Sequence, residues 1–360
     1  MHNTNVLLCG GGTGGHYYPL MAIKKDLEFK SSHKFCYVGA KKGIENSRIQ
    51  NEKIDYKLIS ISGIQRSVFP KAIFSNIKTL IEIFFGFFIV MNFFLKHKPN
   101  LVISTGGYSS FLPLQIAKIL RIPYVLHEQN SYPGIVTKMF SSNAKVTFLG
   151  FENAKKYLQK TKTIFSGNPI LLSETEDIEL KKSPELATVL IFGGSQGSKF
   201  LNDKIKILAE EKKLNFANIV WIVGEKNYDS LKHLDGKNIT IMHYCNKMSS
   251  LYKKVDLVVS RSGAMTIAEL IHFKKPSILV PFKFSAENHQ YHNAKYLQDK
   301  LCSSLIEEDS FDIQKFLEKL ENLSSNERII NSMIKNFQKI STPNTLDIIS
   351  DFIVKEKYVV

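Results

Sequence analysis

The 360-residue chain predicts an α/β fold of two doubly wound, Rossmann-like domains facing each other across a cleft. Three observations carry this expectation. Short apolar runs alternate with helical patterns of about 10–15 residues, the signature of parallel strands joined by crossover helices. The alternation occurs in two series, separated by a polar stretch at residues 173–184. Each series opens with an apolar run that stops in glycines and restarts as a helix.

In chain order, the first series places strands at 6–10, 34–38, 56–59, 101–104, 124–127, 146–149 and 163–165. Each is a short apolar or β-branched run bounded by polar, glycine or proline residues, as a buried parallel strand should be. The second series places strands at 188–192, 219–223, 239–243, 257–260, 277–280 and 302–306. Gly167-Asn168-Pro169 punctuates the chain between them. The expected domains are therefore 1–167 and 168–342, with a last helix in 343–360 crossing back to the first.

The first junction, Gly10-Gly11-Gly12-Thr13-Gly14-Gly15-His16, leads into a helical pattern at 17–29. Such a loop brings main-chain N–H groups and a helix N-terminus up to an anion, usually a phosphate. His16 adds a group able to exchange a proton near neutral pH, which a phosphate cradle does not need. Gly10, Gly12 and Gly15 also satisfy the dinucleotide fingerprint, which expects an acid at the end of the next strand. Gly39-Ala40-Lys41-Lys42 stands there instead, leaving only a 2′-phosphate variant of that reading open.

Two further strand–glycine junctions follow, Thr105-Gly106-Gly107-Tyr108 and Gly193-Gly194-Ser195-Gln196-Gly197. Three glycine junctions at carboxyl ends of strands, shared between two domains, predict a cleft for phosphorylated ligands. Arg261-Ser262-Gly263-Ala264 opens another helix, whose first-turn amides suit a diphosphate. Glu269 lies about one and a half turns in, within reach of a ribose diol or else on a solvated helix face. His127-Glu128-Gln129-Asn130 sets four polar side chains at a strand end, either catalytic or a structural network. No metal-ligand spacing appears, so charge on a leaving phosphate falls to amides, helix dipoles and Arg261.

Composition narrows the setting. Hydrophobic residues at 44% and charged residues at 22% exclude a disordered chain. Cys9, Cys36, Cys245 and Cys302 are scattered, which predicts a reduced, metal-free protein. Met1-His2-Asn3 runs directly into the first strand, which predicts that no signal peptide precedes the fold. Residues 1–167 hold 22 Lys and Arg against 8 Asp and Glu, a net of +14 out of the +15 total. This asymmetry predicts an anionic partner for the first half, nucleic acid or membrane. Residues 83–95 carry six phenylalanines (Phe84, Phe85, Phe87, Phe88, Phe93, Phe94) and are shorter than the roughly 20 residues that span a bilayer. Arg66, Lys71, Lys78, Lys96 and Lys98 lie close in sequence, which predicts an interfacial membrane patch rather than a spanning helix.

Six motifs in order resemble one family: Gly11 to His16, His127 to Asn130, Gly167-Asn168-Pro169, Gly193 to Gly197, Arg261 to Ala264, and Gln290-Tyr291-His292-Asn293-Ala294. Together they resemble the bacterial peptidoglycan N-acetylglucosaminyltransferases of the MurG family, over nearly the whole chain. The resemblance implies a GT-B fold, with an acceptor-binding and membrane-binding first domain and a UDP-GlcNAc-binding second domain. It implies inverting transfer of GlcNAc from UDP-GlcNAc to the 4-hydroxyl of MurNAc in undecaprenyl-diphospho-MurNAc-pentapeptide (lipid I), giving lipid II. It implies that no metal, cofactor or nucleic acid takes part. The expected location is the cytoplasmic face of the inner membrane, held peripherally through the Phe84–Leu95 region, and cell shape and division depend on the product. A related GT-B transferase with another lipid acceptor, such as diacylglycerol, is the alternative.

By the same resemblance, His16 and Glu128 are the candidates for general base. Donor contacts fall on Thr13, Gly14, Gly15, Asn130, Ser195, Cys245 (through its main chain), Arg261, the run Ala264, Met265, Thr266, Ile267, Ala268 and Glu269, and Gln290. The acceptor diphosphate is assigned to Gly14, Gly15, Gly106, Gly107 and Tyr108. Two departures stand out. Ile170-Leu171 replaces the family's Val-Arg, and His289-Gln290 replaces its paired glutamines.

Overall fold

The computed structural model describes residues 4–30, 32–63, 70–158, 160–171, 178–180, 183–194 and 197–356, with side chains of the 70–75 turns excepted. The chain divides into unit 1, Met1–Leu171 with Pro343–Val360, and unit 2, Leu172–Thr342.

Unit 1 is built on a parallel sheet of β1 (Thr4–Gly10), β2 (His33–Ala40), β3 (Asp55–Ile59), β4 (Leu101–Gly106), β5 (Tyr124–Glu128), β6 (Val146–Leu149) and β7 (Thr163–Phe165), in the order β3-β2-β1-β4-β5-β6-β7. Its helices are α1 (Gly14–Lys30), α2 (Glu45–Arg48), α3 (Pro70–His97), α4 (Phe111–Ile119) and α5 (Ile135–Phe140). Side chains alternate across β1. Val6 and Leu8 pack under α1, while Leu7 and Cys9 join the layer beneath α3 and α4. Strand order reverses between β1 and β4, and such a switch point opens a crevice at the strand carboxyl ends. A bulge at Cys9/Gly10 pairs Gly10 with Gly106. Gly10 is obligatory there, because a Cβ would sit 1.9 Å from the Thr105 hydroxyl.

The apolar segment differs in extent from its sequence reading. Its helix runs from Pro70 to His97, and the stretch Asn76–His97 is long and apolar enough to cross a membrane by length and composition. Val90, Phe93 and Phe94 nonetheless fill the core of unit 1, and Gly86 brings the helix against Leu112 of α4. The outward face keeps Leu80, Phe84, Phe85 and Phe88 more than half exposed.

Unit 2 repeats the plan with β8 (Thr188–Phe192), β9 (Asn218–Ile222), β10 (Ile239–Met242), β11 (Leu257–Ser260), β12 (Ser277–Leu279) and β13 (Ser303–Leu305), ordered β10-β9-β8-β11-β12-β13. Helices α6 (Lys199–Glu210), α7 (Glu225–Leu231), α8 (Met248–Lys254), α9 (Ala264–Phe273), α10 (His289–Asp299), α11 (Ile313–Ser325) and α12 (Glu327–Phe337) complete it. The switch point lies between β8 and β11. Trp221 is fully buried, its indole N–H donating to Asn202 Oδ1 at 3.1 Å, so the largest core side chain leaves no orphan polar atom.

The last helix, α13 (Thr345–Lys355), belongs to unit 1 and packs on α1. Ile349 and Ile353 enter the core, and Phe352 meets the ring of Phe148 edge-on at 5.5 Å. Lys30 Nζ donates to Asp347 (2.6 Å), Asp351 (3.0 Å) and the Ser350 hydroxyl (2.8 Å). These partners hold its ammonium well above the ordinary lysine range.

Candidate active site

In unit 1 the switch point gathers the Gly11–Thr13 loop after β1, Gly106-Gly107 at the end of β4 and the end of β5. Helix α1 starts at Gly14, three residues before the apolar pattern suggested, so Gly14 and Gly15 supply first-turn amides and Thr13 is exposed beside them. His16 stands in the same turn. Its Nδ1 lies 2.8 Å from the Thr105 carbonyl oxygen and 2.9 Å from Gln129 Oε1, and its carbonyl accepts from Thr105 Oγ1 at 2.8 Å. A carbonyl oxygen only accepts, so Nδ1 carries the proton and Nε2 is left basic. Among the described residues Nε2 has no hydrogen-bond partner. Gly106 and Gly107, both at φ near +80°, leave room for the ring; a Cβ on Gly107 would meet His16 Cδ2 at 3.1 Å and Gly11 O at 2.6 Å.

Glu128, the other candidate base, is buried with both oxygens engaged. Oε1 accepts from the Asn130 N–H (3.0 Å) and Asn130 Nδ2 (3.2 Å), and Oε2 accepts from the Gly134 N–H at 3.0 Å. It closes the turn that starts α5. Asn130 is thereby fixed at the site. Tyr108 packs its ring against Gly12, where a Cβ would meet Cε1 at 2.6 Å, and burial raises its hydroxyl above the ordinary range.

Sequence reasoning missed Glu45. This fully buried carboxylate accepts the Gly12 N–H through Oε2 (2.9 Å) and Oε1 (3.1 Å), and the Ala40 N–H at 2.8 Å. It lies only a few residues beyond Lys42, where an acid was sought for a ribose. It turns back onto the glycine loop instead, and so fills one of the amide positions that a dinucleotide phosphate would use. A four-residue helix carries no periodicity to announce it.

In unit 2, Gly263 caps α9 without any side-chain hydrogen bond, and Ala264, Met265 and Thr266 form the first turn, with Ile267 and Ala268 turned inward. Glu269 Oε2 accepts from Tyr252 Oη at 2.9 Å, and burial pushes its carboxyl up to about 7. Gln290 Oε1 accepts the Phe282 N–H (3.0 Å), while its carbonyl accepts from Ser262 Oγ (2.7 Å), which locks the start of α10 to the β11–α9 turn. Cys245 sits in the loop between β10 and α8, partly buried, its thiol raised by burial. Ser195 lies outside the described residues, as do Arg66 and the Lys71 side chain.

Arg261 is engaged within unit 2. Its guanidinium pairs with Glu308 while Nη1 donates to the carbonyls of Val280 (3.0 Å) and Pro281 (3.1 Å), with the rings of Phe200 and Phe282 on its faces. With both side chains under a tenth exposed, the cation is spent inside unit 2 rather than held out to a phosphate.

Comparisons with known proteins agree with this architecture. Residues 6–149 match the glycosyltransferase family 28 N-terminal domain, and residues 188–347 match its C-terminal domain. The UDP-N-acetylglucosamine–N-acetylmuramyl-(pentapeptide) pyrophosphoryl-undecaprenol N-acetylglucosamine transferase of Flavobacterium psychrophilum is 34% identical, over 99% of this chain and 98% of its own. The protein of the same name from Bacillus subtilis is 31% identical over 94% and 96%. The crystal structure of Acinetobacter baumannii MurG superimposes with a TM-score of 0.75 at 23% identity, over 98% of this chain and 99% of its own. The two parallel-sheet units form the GT-B fold. The chain belongs to glycosyltransferase family 28 and, within it, to the UDP-N-acetylglucosamine–N-acetylmuramyl-(pentapeptide) pyrophosphoryl-undecaprenol N-acetylglucosamine transferases.

Proposed function

We propose that this chain transfers GlcNAc from UDP-GlcNAc to the 4-hydroxyl of MurNAc in lipid I, forming lipid II, with His16 as the general base. The activity follows from family membership. The observation that supports the base is the hydrogen-bonded His16 ring, with Nδ1 tied to Thr105 and Gln129 and Nε2 without a partner among the described residues. In a single displacement the acceptor oxygen attacks the anomeric carbon as UDP departs from the opposite face, inverting the centre. Nε2 takes the hydroxyl proton as the bond forms, a contribution of roughly 10²–10⁴-fold. Glu128, with its oxygens on three N–H donors, shapes the turn instead.

Unit 2 binds the donor in this reading. The uncapped start of α9 takes the diphosphate on Ala264, Met265 and Thr266, where amides and helix dipole disperse the leaving charge. Glu269 accepts the ribose hydroxyls, and Ser195, Cys245 and Gln290 supply further donor contacts together with Thr13 and Asn130. Gly14, Gly15, Gly106, Gly107 and Tyr108 of unit 1 face the acceptor diphosphate. Unit 1 also seats the enzyme on anionic lipid at the inner face of the cytoplasmic membrane. The exposed rings of Phe84, Phe85 and Phe88 support this, as does a groove of about 590 Å³ in which Ile77, Ile81 and Phe85 are bordered by Lys41, Lys57 and Lys78.

The test of the base is His16→Ala. Turnover with a short-chain lipid I analogue should fall by at least about 10²-fold while calorimetry finds unchanged UDP affinity. Full turnover in that variant ends His16's candidacy.

A further inference from the structure

Two acceptors meet the proton of His16 on Nδ1, the Thr105 carbonyl oxygen and Gln129 Oε1. We propose that Gln129 is a positioning residue that holds His16 as the Nδ1–H tautomer, through a hydrogen-bond chain anchored on the carbonyl of Gly167. This inference rests on the reading of His16 as base. The chain runs in one direction only. His127 Nε2 lies 3.0 Å from Gly167 O, which only accepts, so Nε2 donates and Nδ1 of the neutral ring accepts. Burial pushes His127 down to about 4, so the ring is neutral at physiological pH. Gln129 Nε2 then donates to His127 Nδ1 and to the His127 carbonyl, both at 2.9 Å. That consumes the amide NH₂ and turns Oε1 toward His16, where it accepts from Nδ1 at 2.9 Å.

The geometry carries more than a single contact. His127 and Gln129 are each about 1% exposed, so water does not compete for these bonds. The Gln129 main chain is itself held, its carbonyl accepting from Asn168 Nδ2 at 2.9 Å. Gly167, at φ +79°, presents its carbonyl from a turn that a Cβ would crowd against Thr345 Oγ1 at 2.9 Å. Free neutral histidine carries its proton mainly on Nε2, the wrong nitrogen for a base that must accept there. The chain reverses that preference, and Thr105 O adds a second acceptor on the same N–H.

The experiment is ¹⁵N NMR of histidine-labelled protein, with His16 assigned by its loss in His16→Gln. The wild type should show a protonated Nδ1 and a bare Nε2 at His16. Gln129→Met should raise the Nε2–H population and lower kcat about 5- to 10-fold, the range of one hydrogen bond, with UDP affinity unchanged. A wild-type His16 found as Nε2–H overturns the proposal, whether or not the Gln129 variant folds. So does a Gln129→Met protein that leaves both tautomer and kcat unchanged. If His16→Ala kept full turnover, the base reading would fail while the tautomer result stood; an Nε2–H ring with an inactive His16→Ala would remove both the role of Gln129 and the choice of Nε2 as the accepting atom, and leave only the need for His16 in turnover.

Discussion

Replacing Glu45 by alanine tests how the glycine loop ahead of His16 is held. Its carboxylate satisfies two donors, the half-buried N–H of Gly12 and the buried N–H of Ala40, at 2.8–3.1 Å. Cβ atoms on Gly11 and Gly43 would lie 2.4 and 2.0 Å from its oxygens, so the loop closes tightly around it. Removing the acceptor orphans both donors at roughly 1–3 kcal/mol each, about 4 kcal/mol in all. For a unit of this size that corresponds to roughly 8–16 °C in the melting temperature. Glu45→Gln keeps the Oε1 position that both N–H groups share and loses only charge assistance, about 1–2 kcal/mol. Because His16 stands four residues beyond Gly12, the alanine variant should also lose at least about tenfold in kcat while UDP binding by unit 2 persists. Calorimetric melting and transfer assays read both effects. An alanine variant that melts within about 2 °C of the wild type and turns over normally would refute the role given to Glu45.

Three other outcomes are expected. Phe84→Ser with Phe88→Ser should lower binding to anionic vesicles by about 10²-fold or more, since each ring buries roughly 1.5–3 kcal/mol of apolar surface, with no change in melting; unchanged sedimentation with vesicles contradicts the membrane face. UDP-GlcNAc affinity should rise as pH rises through about 7, where Glu269 ionises and accepts ribose hydroxyls more strongly, and Glu269→Gln should flatten that profile. The sign for stability is opposite: burial raises this carboxyl above its ordinary value, so its neutral form favours the fold and that contribution fades as pH climbs through about 7. Glu308→Gln should destabilise unit 2 by about 3 kcal/mol or more by leaving the Arg261 cation buried without its partner, visible in denaturant melts. Were Arg261 instead turned toward the diphosphate, that variant would melt normally and only Arg261→Met would raise KM for the donor.

Sheet architecture was legible because buried parallel strands are written as apolar runs. The strands expected at 146–149, 163–165, 188–192 and 257–260 match those observed residue for residue, and the other nine overlap theirs, with ends shifted by at most two residues. Helix starts were less legible. Gly14 and Gly15 offer no side chain to read, so α1 begins before its apolar stripe does. The six-phenylalanine run fills the second half of a 28-residue helix whose first half is more polar. At the site, residue types were readable and partners were not. The row His127 to Asn130 announced a polar cluster at a strand end, yet its division of labour depends on Gly167 and Gly134, remote or silent in sequence. Arg261 follows a strand like a phosphate-binding cation, and only the fold reveals Glu308, which follows β13, as its partner.

The transfer reaction can be read from its products. Purified protein is given UDP-GlcNAc and a short-chain lipid I analogue in competition with diacylglycerol, and the products are separated and identified. A single β-linked GlcNAc on the muramoyl 4-hydroxyl is expected, with stoichiometric UDP release and none on diacylglycerol. Transfer to diacylglycerol alone, or release of UDP without any muramoyl product, would contradict it.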